Sequence, residues 1–269
     1  MSRISEKFRE LRGRGETALI PYIMAGDPDL KTTEELIFII DKSGADMIEL
    51  GVPFSDPLAD GPTIQKAAIR ALGSGTHLSG VFGLVKGARK HTEIPIILML
   101  YYNLVLKYGE EKFARDAARA GVDGVIIPDL PPDEAAGMMA AAKAFGLNVI
   151  FLLAPTSSDE RIRLVERSTG GFIYYVSMTG VTGKQGELDK GIEAQMKKIR
   201  RLSKKPVCVG FGISSPEQAA KVASWADGVI VGSAIVRVME GASGRDAMLR
   251  GVGKFVKGLK EGVLSVTAG

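Results

Sequence analysis

Short runs of β-branched and other apolar residues recur along the chain, and between them apolar positions fall three and four residues apart. Eight runs read as strands, at 18–25, 46–51, 94–102, 124–129, 148–154, 172–177, 206–212 and 228–233. They are apolar at almost every position, the pattern of strands covered on both faces. The segments 33–43, 110–120, 133–145, 159–168, 192–202 and 216–226 carry the helical period instead. Thr32 before Glu35 and Ser214 before Glu217 have the spacing of helix N-caps. Strand followed by helix, repeated eight times, predicts an α/β fold: a closed parallel (β/α)8 barrel, with a doubly wound open sheet as the alternative. An extra N-terminal helix over 2–12 is expected to cover the barrel floor. No low-complexity linker divides the chain, so residues 1–269 are expected to form a single domain.

Composition fits this picture. The chain has 269 residues, 45% hydrophobic and 25% charged, close to the usual size of one such barrel. Net charge is only +4, from 35 Lys+Arg against 31 Asp+Glu, and no basic-aromatic stripe occurs, so no nucleic-acid partner is expected. A modest positive field suits an anionic small molecule. The single cysteine, Cys208, lies in an apolar run and reads as a small buried hydrophobe, with a nucleophile as the weaker alternative. The first fourteen residues are charged throughout and no apolar run approaches 18 residues, so neither a signal peptide nor a membrane span is expected. A cytoplasmic location follows.

In a parallel barrel the site is built where strands end. Glu49 closes the second strand, Asn103 follows the third, Asp129 closes the fourth, and Gly183, Gly212 and Gly232 follow or close the last three. For Asp56 and Asp129, a solvated loop carboxylate is an equally good reading. Glu49 is different: it sits in the run Met47-Ile48-Glu49-Leu50, where an inward carboxylate is desolvated and its pKa pushed upward. In Gly210-Phe211-Gly212-Ile213-Ser214 and in Val231-Gly232-Ser233-Ala234 a strand ends in glycine and runs towards a helix start, an arrangement that exposes backbone N–H groups to a phosphate. The glycine-rich segment 180–186 is long enough to act as a lid.

What is missing narrows the chemistry. None of the eight runs contains a lysine, which argues against a Schiff-base aldolase. The only histidines, His77 and His91, lie together in the helical stretch between the second and third strands and read as surface residues, so no metal site is expected. Cofactor-free acid/base chemistry on a phosphorylated substrate remains.

The segment from Glu49 through Gly51-Val52-Pro53-Phe54-Ser55-Asp56-Pro57-Leu58-Ala59-Asp60-Gly61-Pro62 closely resembles the signature of the tryptophan synthase α chain family. The likeness runs from Pro21-Tyr22-Ile23-Met24-Ala25-Gly26-Asp27-Pro28 to Gly232-Ser233-Ala234-Ile235-Val236. It implies retro-aldol cleavage of indole-3-glycerol phosphate to indole and glyceraldehyde 3-phosphate, a lyase step of tryptophan biosynthesis. It implies a β chain as partner in an α2β2 assembly, with pyridoxal phosphate in the partner and no cofactor in this chain. By the same resemblance Glu49 is the general acid/base and Asp60 the acid that binds the indole N–H. Tyr22, Ile64, Met99 and Ile126 line the indole pocket, Tyr174 is the active-site tyrosine, and Gly183, Gly212, Gly232 and Ser233 bind phosphate. Asp56, Asn103 and Asp129 face the β chain. Tyr22 stands where many members have Phe, and Met178-Thr179 falls in a stretch that varies in the family; neither departure removes a catalytic group. Two alternatives stay open: another phosphosugar lyase or isomerase, and a silent subunit that only activates its partner.

Overall fold

The strands close on themselves. The computed structural model describes residues 2–176, 185–210 and 212–266. Among the described residues there are nine strands: β1 (Ala18–Met24), β2 (Ile48–Gly51), β3 (Ile96–Met99), β4 (Gly124–Ile126), β5 (Asn148–Ile150), β6 (Leu152–Leu153), β7 (Ile173–Val176), β8 (Val207–Gly210) and β9 (Gly228–Val231). Neighbours all pair parallel, in the order β5-β4-β3-β2-β1-β9-β8-β7-β6. The two ends of that order are one stretch of chain, because only Phe151 separates β5 from β6. The sheet is therefore a (β/α)8 barrel whose fifth stave, expected at 148–154, is interrupted. At the break the Phe151 N–H donates to Thr169 Oγ1 at 3.0 Å, and the same hydroxyl donates to the Phe172 carbonyl at 2.8 Å. A side chain here takes a bond that the ladder would otherwise make.

Helices follow the strands: α1 (Arg3–Arg14), α2 (Leu30–Lys42), α3 (Pro62–Gly73), α4 (Leu78–Ala88), α5 (Tyr102–Tyr108), α6 (Glu110–Ala120), α7 (Ala136–Phe145), α8 (Asp159–Ser168), α9 (Gln185–Leu202), α10 (Pro216–Ala223), α11 (Ser233–Glu240) and α12 (Arg245–Leu264). Alternation along the strands divides the core in two. Leu19, Ile48, Leu50, Leu98, Val209 and Val229 pack outward under the helices, whereas Ala18, Ile20, Ile97, Ile126, Tyr174 and Ile230 fill the barrel. Tyr174 and Tyr175 accordingly fall in different layers. Ile4, Phe8 and Leu11 of α1 join the interior cluster, and Phe8 meets Phe172 edge-on at 5.8 Å, so α1 does close the floor.

Local departures from expectation have physical causes. Asp29, not Thr32, caps α2, its Oδ1 accepting from the Thr32 N–H at 2.7 Å. Ser215, not Ser214, caps α10, while Gln218 Oε1 accepts from the Ser214 N–H at 2.7 Å. The run 94–102 is strand only to Met99, because Tyr102 opens α5 with its N–H donated to Asp129 Oδ1 at 2.8 Å. Among the described residues no helix is long and apolar enough to cross a membrane.

Candidate active site

The carboxyl ends of the strands surround a cavity of about 270 Å³. Strand β2 delivers Glu49 into it, beside Tyr22 on β1, its partner in the parallel register. Inward alternation buries this carboxylate to 1% exposure, and neither oxygen has a hydrogen-bond partner among the described residues. Burial, reinforced by the nearby Asp60 charge, pushes its pKa up to about 8. Such a group is mostly protonated at neutral pH.

Asp60 reaches the same cavity from the loop between β2 and α3. Burial raises its pKa, while a hydrogen bond from Tyr101 Oη to Oδ2, at 3.1 Å, pulls the other way. Tyr101 holds more than the carboxylate. Its oxygen accepts from the Ala59 N–H at 2.9 Å, and its ring stacks on Phe54 with centroids 5.4 Å apart, so one side chain pins both ends of the loop. Tyr22 and Tyr174 are held as neutral phenols, chiefly by burial and then by the two carboxylates. Gly51 and Gly210 make room for them: a Cβ on either would overlap the hydroxyl end of Tyr22 or Tyr174 respectively.

Across from the acids, Gly212, Gly232 and Ser233 also line the cavity. Gly212 has φ of 73°, a left-handed conformation that favours glycine. Gly232 is the N-cap of α11, so the start of that helix, where the Ser233 and Ala234 N–H groups precede the first bonds to the Gly232 carbonyl, lies at the cavity wall. One cavity thus combines a largely protonated carboxyl, a second acidic side chain, an apolar lining from Ile64, Met99, Leu152 and Ile230, and the N-terminus of a helix.

A family model described as tryptophan synthase alpha chain matches residues 8–263. The chain belongs to that family. The tryptophan synthase alpha chain of Geobacter sp. strain M21 is 52% identical over 264 residues, 98% of each chain, and that of Geotalea uraniireducens is 55% identical over 266 residues, 99% of each. The crystal structure of tryptophan synthase subunit alpha from Legionella pneumophila superposes with a TM-score of 0.92 at 40% identity, covering 98% of this chain and 99% of that one. An aminoacrylate-bound tryptophan synthase from M. tuberculosis matches with a TM-score of 0.85 at 37% identity, over 96% of this chain and all of that one.

Of the residues singled out from sequence, Tyr22, Glu49, Asp60, Ile64, Met99, Tyr174, Gly212, Gly232 and Ser233 meet in the cavity. Ile126 does not line it; it is fully buried in the interior cluster that also holds Tyr174, with Met99 packed against it. Gly183 and the segment 180–184 lie outside the described residues. Asp56, Asn103 and Asp129 stand on exposed loops or helix starts after β2, β3 and β4, on the same side of the barrel but outside the cavity. Two polar residues went unremarked in the sequence. Tyr101 falls inside the run 94–102 that reads as strand, so a rule that looks just past strand ends passes it over; the structure ends β3 at Met99, two residues before it. Arg237 lies within α11, beyond the reach of any strand-end argument.

Proposed function

We propose that this chain cleaves indole-3-glycerol phosphate to indole and glyceraldehyde 3-phosphate as the α subunit of a tryptophan synthase, using Glu49 as general acid/base. The observation that carries the assignment is the orphaned, buried Glu49 carboxyl facing the same cavity as Asp60 and the start of α11, in a chain of this family. Breaking the C–C bond needs a proton at indole C3 and the loss of one from the glycerol hydroxyl that becomes the carbonyl. A carboxyl with a pKa near 8 begins protonated, gives its proton to C3, and as carboxylate takes the hydroxyl proton while the bond breaks. It ends as it began. Asp60, whose ionised form the Tyr101 hydroxyl favours, is suited to the indole N–H and to the positive charge that develops on the ring.

Tyr22, Ile64, Met99 and Tyr174 supply the walls for the indole, with Ile126 as their backing. Gly212, Gly232 and Ser233, together with Gly183, receive the phosphate through backbone N–H groups. The apolar body and polar ends of the cavity match a substrate with an aromatic ring at one end and a phosphate at the other. The whole chain, 1–269, acts as one domain. A β chain carrying the pyridoxal phosphate docks on the loops bearing Asp56, Asn103 and Asp129, in an α2β2 assembly of the cytoplasm. Leu58, 95% exposed between Asp56 and Asp60, gives that surface an apolar contact.

The test is to incubate the chain with indole-3-glycerol phosphate and quantify both products. Equimolar indole and glyceraldehyde 3-phosphate are expected, with Asp60→Asn releasing them far more slowly. No release with or without a β chain would reject the lyase, and wild-type turnover in Asp60→Asn would remove Asp60 from the mechanism.

A further inference from the structure

Two acidic side chains, Asp60 and the largely protonated Glu49, line the cavity that the proposed reaction assigns to an anionic substrate, and neither can attract a phosphate. Backbone N–H groups and a helix dipole contribute only partial charges. Among the described lining residues one side chain is cationic: Arg237. It stands four residues after Ser233 on α11, so the two share a helix face and both reach the cavity wall.

Arg237 is also held available. Among the described residues none is an ion-pair partner for it, and the acid three positions further along the same helix, Glu240, is taken. Arg70 NH1 donates to Glu240 Oε1 at 2.6 Å, while its Nε and NH2 grip both oxygens of the buried Asp27 at 2.8 and 2.7 Å. This three-residue network links α3, α11 and the loop after β1. It removes the one carboxylate that helical spacing would set against Arg237.

We propose that Arg237 is a specificity-determining residue of this site: its guanidinium pairs with the phosphate of the bound substrate and selects phosphorylated over unphosphorylated ligands. The inference rests on the reaction assigned above and adds a side chain to a site otherwise built from backbone donors. A guanidinium matches phosphate geometry with two parallel donors, which an ammonium does not.

The test titrates glycerol 3-phosphate, which carries the phosphate end of the substrate without the ring, into wild type, Arg237→Ala, Arg237→Gln and Arg237→Lys by calorimetry, with indole as the uncharged control. Because Arg237 is exposed in the open cavity, Arg237→Ala and Arg237→Gln are expected to weaken glycerol 3-phosphate by about three- to tenfold, with indole affinity unchanged. Arg237→Lys should recover part of the loss. In steady state the loss should fall on KM for indole-3-glycerol phosphate rather than on kcat, and added salt should weaken wild type more than Arg237→Ala. Equal glycerol 3-phosphate affinity in wild type and Arg237→Ala would overturn the inference, as would matching losses for indole. An Arg237-dependent affinity for glycerol 3-phosphate in a wild type that cleaves nothing would reject the lyase while leaving the role of Arg237 standing.

Discussion

Glu49 is the residue on which sequence and structure bear most directly. Its run of apolar neighbours predicts an inward, desolvated carboxylate, and the structure buries it with no partner for either oxygen. That arrangement costs stability, with a definite pH dependence. The folded-state pKa, about 8, lies above the ordinary value of 4.5, so between these values the native state holds a proton that the unfolded chain has lost. Stability therefore falls as pH rises through that window. Glu49→Gln, which cannot ionise, should match wild type in thermal midpoint near pH 4.5 and gain on it steadily towards pH 8. A constant difference across the range would mean that the carboxyl is not titrating in the fold. Tyr101 makes the second prediction at this scale. Tyr101→Phe keeps the ring on Phe54 but removes the hydroxyl shared by Ala59 and Asp60, and turnover should drop by about three- to tenfold, the worth of the one of its two hydrogen bonds that holds Asp60. Undiminished turnover would show that the loop holds Asp60 without it.

At the scale of elements, the strands were legible because both faces of a parallel barrel are covered and each run is apolar throughout. Their ends were less so. The run 94–102 continues apolar past Met99, but the polypeptide turns into α5 because the Asp129 carboxylate, distant in sequence, takes the Tyr102 N–H. Phe151 interrupts the fifth stave through Thr169, eighteen residues away. Neither event leaves a local trace in the sequence. The same distinction separates the site residues: Glu49, Gly212 and Gly232 were visible at or near strand ends, whereas Arg237 owes its position to the direction of a helix and Ile126, level with Met99 in the strand register, is buried in the interior cluster and does not line the cavity. The floor helix gives a prediction that the fold alone supports. Phe8→Ala, removing a ring packed on Phe172 inside the barrel, should cost about 3–5 kcal/mol in denaturant unfolding without changing KM for the substrate. A loss below about 1 kcal/mol would show that α1 covers the floor without stabilising it.

For the whole molecule, the side of the barrel that bears the cavity also bears Asp56, Leu58, Asn103 and Asp129 on exposed segments next to the Asp60 loop. The β-chain docking proposed for this face would order that loop and exclude water from the carboxyls, coupling association to turnover. The isolated chain should be a weak lyase, a β chain should raise its turnover, and Asp56→Ala should flatten that activation curve. Superimposable curves would clear Asp56 of any part in coupling. The central claim, however, concerns Glu49 alone, and single-turnover release of indole from indole-3-glycerol phosphate, by wild type and Glu49→Gln side by side with β chain present, tests it most directly. The expected result is a rate lower by about 10²–10⁴-fold in Glu49→Gln with glycerol 3-phosphate still bound as in wild type; a rate within tenfold of wild type would contradict the assignment of the proton transfers to Glu49.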